Sequence, residues 1–91
     1  MKRWPDHRLS LLGWGNAAYA LQRLGVAGDA YEATVKAHPD FADAWDNLAQ
    51  VRSEQGRWVQ AQAAIGKAVS LGGPRLAAYQ QLAQTIARGG D

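Results

Sequence analysis

Pro39-Asp40-Phe41-Ala42-Asp43-Ala44-Trp45-Asp46-Asn47-Leu48-Ala49-Gln50-Val51-Arg52-Ser53-Glu54-Gln55-Gly56-Arg57-Trp58-Val59-Gln60-Ala61-Gln62-Ala63-Ala64-Ile65 is the stretch that decides the fold. Ala44, Trp45, Leu48, Ala49 and Val51 recur at the i, i+3, i+4, i+7 spacing of an amphipathic helix, and Asp43, Asp46, Asn47 and Gln50 take the other side. Gly56 interrupts that period, and Trp58, Ala61, Ala64, Ile65 and Ala68 begin a second one. Asp40 follows Pro39 where an N-cap is expected, and Asp43 three residues on suggests a weak form of the capping box. Two periodic segments joined by one glycine describe a helical hairpin. Gly72-Gly73 closes it, and Pro74 suits the first turn of another helix.

Outward from this hairpin the pattern returns at an offset of 34 residues. Pro5-Asp6 recurs as Pro39-Asp40. Leu11, Trp45 and Tyr79 form one column of large residues, and Trp14, Leu48 and Leu82 a second. Gly15, Ala49 and Ala83 are small, and Asn16, Gln50 and Gln84 are amides. Leu24 aligns with Trp58, Ala27 with Ala61, Tyr31 with Ile65 and Val35 with Val69. Residue size kept at a fixed period means a repeated supersecondary unit. The expected elements are helices near 8–23 and 27–37 with a break at Leu24-Gly25, the two helices of the quoted stretch, and a last helix near 75–88. The chain is therefore expected to be a single all-α domain over 1–91, with repeats at 8–41 and 42–75 and a capping helix at 75–88. Trp14, Trp45 and Trp58 are expected to be packed.

Composition agrees with a helical protein and removes several classes of function. Eighteen of the 91 residues are alanine, the best helix former, and cysteine is absent. No disulfide, thiolate metal site or thiol nucleophile is therefore available within this sequence. The longest apolar runs fall far short of a membrane span, and no secretory signal is visible, so the default location is the cytoplasm. Charge is uneven: residues 1–25 and 55–91 each carry four basic side chains against one acid, whereas residues 26–54 carry six acids against Lys36 and Arg52. The basic residues are scattered singly rather than gathered on one face, which argues against nucleic acid as a partner. His7 and His38 sit beside prolines, without serine-triad or metal-ligand spacing around them. Asp43 and Asp46 read as first-turn helix acids rather than a paired catalytic acid and base. The expectation is a protein that is not an enzyme, with no cofactor and no metal.

These residues resemble the tetratricopeptide repeat, whose period is 34 and whose pattern runs W-x2-L-G-x2-Y, then A-x3-F, then P. Trp45, Leu48, Ala61 and Ile65 fit, while Ala49 stands for the glycine, Arg52 for the tyrosine, and the final proline is displaced by one to Pro74. The first unit has Gly15, Ala27, Tyr31 and Pro39 in place, with Leu11 and Trp14 at the positions usual for Trp and Leu. Its inter-helix glycine is shifted to Gly25. The third unit shows Tyr79, Leu82 and Ala83. The resemblance implies a right-handed superhelical stack of about two and a half hairpins that binds a peptide or partner protein in a concave groove. It places Asn16, Tyr19, Asp43, Asp46, Asn47, Gln50 and Gln84 on that groove. Asn16 and Asn47 match the asparagines with which one co-chaperone subfamily clamps a C-terminal carboxylate. The clamp's basic positions fall on Leu12, Ala77 and Gln81, so a clamp is not expected.

Two further expectations follow. The wording from Asn47 to Gln55-Gly56 and from Ala68 to Pro74 is similar to the tetratricopeptide tails of bacterial papain-like, peptide-processing cysteine peptidases. The alternative function is thus a non-catalytic appendage of a larger enzyme. Trp4, Leu9 and Leu12 crowd the N-terminal edge, which is expected to meet either a preceding part of the protein or a second copy of the chain.

Overall fold

The backbone of residues 7–89 and the side chains of residues 11–89 are described by a computed structural model. Five helices follow one another: α1 (His7–Ala20), α2 (Leu24–Ala37), α3 (Ala42–Glu54), α4 (Trp58–Leu71) and α5 (Leu76–Gly89), with no strand among the described residues. Helices α1 and α2 form one hairpin, α3 and α4 a second, and α2 packs on α3 as α4 packs on α5. The repeat is visible in the element bounds: Leu24 and Trp58 open α2 and α4 one repeat apart, as Ala42 and Leu76 open α3 and α5.

Small residues set how closely these helices approach. Ala27, Ala44, Ala49, Ala61 and Ala68 are fully enclosed, and Tyr31, Val51, Ile65, Tyr79 and Ile86 fill the space between them. Trp45 and Trp58 depart from expectation, because both are half-buried at the edge of this core rather than inside it. The Trp45 indole N–H donates to the Pro39 carbonyl at 2.8 Å, which ties α3 to the turn before it. The Trp58 ring lies over Gly89, where a Cβ would meet it at 2.7 Å. Trp45→Ala is accordingly expected to cost about 2 kcal/mol, half the burial of a large aromatic plus one hydrogen bond. Urea denaturation measures it.

Trp14 departs further and is 60% exposed. Its column mate Leu48 is buried because another hairpin packs beside α3, whereas no described helix covers that side of α1.

The turns explain the remaining differences. Helix α1 ends at Ala20 rather than near residue 23, and Leu24 and Gly25 belong to α2 instead of breaking the chain. The reason is Gln22, which has φ 64° and occupies the position of Gly56, φ 78°, one repeat later. Both close the same C-terminal motif. Arg23 N–H donates to the Ala18 carbonyl and Gln22 N–H to that of Tyr19, as Arg57 N–H does to Arg52 and Gly56 N–H to Ser53. The left-handed conformation costs a side-chain-bearing residue about 1–2 kcal/mol. Gln22→Gly is therefore expected to stabilise the fold by roughly 1 kcal/mol net of the entropy that glycine adds to the unfolded chain, seen as a raised denaturation midpoint. Asp40 does not cap α3. The N-cap position is Phe41, with no side-chain cap bond, because the turn closed by Phe41 N–H on the His38 carbonyl leaves Asp40 one residue too early.

Arg52, standing where the repeat pattern has tyrosine, is buried at 7% exposure. Its guanidinium lies against Gly28 of α2, where a Cβ would come within 2.6 Å of Nη1. Nη1 donates to Gln55 Oε1 at 2.9 Å and Nη2 to Glu32 Oε1 at 3.2 Å, so the enclosed cation has partners on both sides of the α2–α3 contact.

Candidate functional site

The first helices of successive repeats present their polar positions side by side, and two clusters result. In the first, Asn16 of α1 accepts at Oδ1 from the Tyr31 phenol at 2.5 Å and from Asn47 Nδ2 at 3.4 Å. One turn further, the Tyr19 phenol donates to Glu54 Oε2 and accepts from Gln50 Nε2 at 3.4 Å. Asn16, Tyr19, Tyr31, Asn47 and Gln50, with Val51 as an apolar floor, line a cavity of about 260 Å³ between α1, α2 and α3. Donation to Glu54, then burial, raises the Tyr19 phenol above its ordinary range, and burial does the same for Tyr31.

The second cluster joins α3 to the start of α5. Asp43 Oδ1 accepts from the Tyr79 phenol at 2.6 Å and from Arg75 Nη1 at 3.2 Å, while Arg75 Nη2 stands 4.0 Å from Asp46 Oδ2. The Arg75 guanidinium also sits 5.9 Å from the centre of the Tyr79 ring. Asp46 is 8% exposed, and burial raises its carboxyl against the opposing pull of Arg75. The charge of Asp43 and Asp46, both expected on the groove, is thus partly neutralised from within.

Tyr79 is held protonated most strongly. Burial first, then the bond to Asp43 and that residue's charge, push its phenol up to about 12 from the ordinary 10.0. Between those values the unfolded chain has released the proton that the folded chain still holds, so stability present below pH 10 falls as pH rises toward 12. Urea midpoints measured across that window are expected to drop, and Tyr79→Phe is expected to flatten the drop.

Of the groove residues expected from sequence, Asn16, Tyr19, Asn47 and Gln50 come together in the first cluster and Asp43 and Asp46 in the second. Gln84 is exposed on α5 and belongs to neither. Leu12 of the expected N-terminal edge is half-buried against the core, whereas Trp4 and the Leu9 side chain lie outside the described residues. Sequence reasoning missed the phenols of Tyr31 and Tyr79 and the cation of Arg75. Tyr31 aligns with Ile65, and a hydroxyl-bearing ring in an otherwise aliphatic column was the available signal that one atom reaches beyond the core.

The architecture defines the class: an all-α stack of helical hairpins whose first helices share a polar face. Residues 30–63, from within α2 to within α4, match the family model described as tetratricopeptide repeat. Over that segment the chain is similar to a tetratricopeptide repeat, a unit whose general role is protein interaction. No curated protein matches the chain. No described helix is long and apolar enough to cross a membrane.

Proposed function

We propose that this domain seats an extended peptide across α1, α3 and α5 and acts by binding rather than by chemistry of its own. The observation that carries the proposal is the cavity between α1 and α3, rimmed by the amides of Asn16, Asn47 and Gln50 and the phenol of Tyr19. Amides offer both a donor and an acceptor, the complement of a peptide unit. Glu54, bonded to Tyr19 of the rim, and the acids Asp43 and Asp46 favour a polar or basic peptide over one ending in acidic residues, although Arg75 weakens that bias.

The test is titration of isotope-labelled protein with equal-length lysine-rich, neutral polar and C-terminally acidic peptides. Side-chain amide signals of Asn16, Asn47 and Gln50 are expected to move with the first two sets, and Gln50→Ala is expected to weaken binding several-fold with unchanged circular dichroism. Shifts confined to α2 and α4 overturn the proposal. Reversing Asp43 and Asp46 to lysine is not a clean probe, because both acids stabilise the α3–α5 junction.

A further inference from the structure

Helix α1 exposes a face whose counterpart on α3 is enclosed. On α3, Leu48 and Val51 are 6% and 1% exposed, and Val51 meets Asn16 and Tyr31 of the preceding hairpin in the groove cavity. One repeat earlier the same two positions are Trp14, 60% exposed, and Ala17, also exposed, and Leu21 extends the stripe at 68% exposure. Two large side chains seven residues apart with an alanine between them form an apolar ridge. No charged residue occurs from Leu9 through Gln22, although Lys, Arg, Asp and Glu make up 20% of the chain. From Leu9 through Gln22 the chain therefore combines an apolar stripe of the type that the fold covers elsewhere with sequence that carries no charge.

We propose that this stripe of α1 is an isologous contact between two copies of the chain. The spacing fits itself. When two such helices pair antiparallel, the midpoint between Trp14 and Leu21 falls beside Ala17. Each Trp14 then faces the partner's Leu21, while the alanines let the backbones approach. With no charged residue from Leu9 through Gln22, no like charges oppose each other along that part of the pair. The other helices are poorer occupants. Helices α2 and α4 already pack on α3 and α5, and α5 turns Gln80, Gln81, Gln84 and Arg88 outward. The contact is separate from the groove cavity, so it stands or falls independently of peptide binding.

Sedimentation velocity on the whole chain over a wide concentration range is the test. A monomer–dimer equilibrium is expected, with the dissociation constant raised roughly thirtyfold or more by Trp14→Glu, the loss usual for a central aromatic anchor. Ala17→Glu is expected to act likewise, since both positions are exposed and circular dichroism should not change. In this cysteine-free chain Ala17→Cys is expected to oxidise to a covalent dimer, whereas Val59→Cys, 80% exposed on α4, is not. A monomer at every concentration, a dimer indifferent to both glutamates, or an open-ended assembly that grows with concentration overturns the proposal.

Discussion

Tyr31→Ala is expected to cost about 3 to 5 kcal/mol, the range for deleting a fully buried aromatic ring. Tyr31 is 2% exposed and is the largest of the fully enclosed side chains. It fills the α1–α2 interface against Gly15 and carries its phenol to Asn16 in the groove. Truncation removes the core contact and opens the floor of the groove cavity in one step. Small domains have about 5 to 15 kcal/mol in total, so the variant is expected to be close to unfolded at room temperature. Tyr31→Phe keeps the ring and loses only the hydrogen bond, about 1 kcal/mol. Urea denaturation of the three proteins separates the two terms, and a Phe variant as unstable as the Ala variant overturns this division.

Gly15→Ala tests the same interface from the other side. A Cβ at Gly15 would lie 2.4 Å from Cε1 and 2.6 Å from Cδ1 of Tyr31, closer than packed carbons ever come. Alanine is the better helix former by about 1 kcal/mol, but the ring has nowhere to retreat in an interior at crystal-like density. Overpacking of this kind costs about 1 to 3 kcal/mol, so the net effect is expected to be destabilising. The sign is expected to reverse without the ring: in a Tyr31→Ala background, Gly15→Ala should stabilise by up to about 1 kcal/mol. A double-mutant cycle reads the coupling directly. Strict additivity would show that the two residues do not compete for one space.

The 34-residue register made most of the architecture legible, because it depends on side-chain size, which packing enforces at every column. Five helices, their pairing into hairpins and the small residues at the contacts all follow from it. What the register could not reveal was the difference between repeats. Trp14 shares a column with buried Leu48, yet exposure depends on whether another hairpin lies alongside, and that is a property of position in the stack. The first inter-helix turn was misplaced because Gln22 adopts the backbone of a glycine, and residue type carries no trace of that. Asp40 satisfies the composition of a cap but misses its position by one residue.

The groove was half legible. Amides at Asn16, Asn47 and Gln50 stand out as polar positions within helical spacing, and α1 and α3 do bring them to one cavity. Their partners were hidden because the contacts span 15 to 36 residues and depend on the length of a tyrosine or arginine side chain. Arg75 was expected to open the last helix but lies in the turn before Leu76, and the packing of α5 on α4 and α3 carries it to Asp43.

The polar atoms that rim this groove are also the rivets between repeats. Asn16 joins Tyr31 to Asn47, Tyr19 joins Glu54 to Gln50, and Asp43 joins Tyr79 to Arg75. A peptide that takes such an atom replaces a bond the protein already had, so the net gain per contact is an exchange rather than an addition. If the proposed peptide binding holds, occupancy and curvature become one variable: each rivet surrendered to the peptide would free α1 to tilt against α3, or α3 against α5. A peptide bound as proposed would be felt along the stack as a change of pitch between the hairpins.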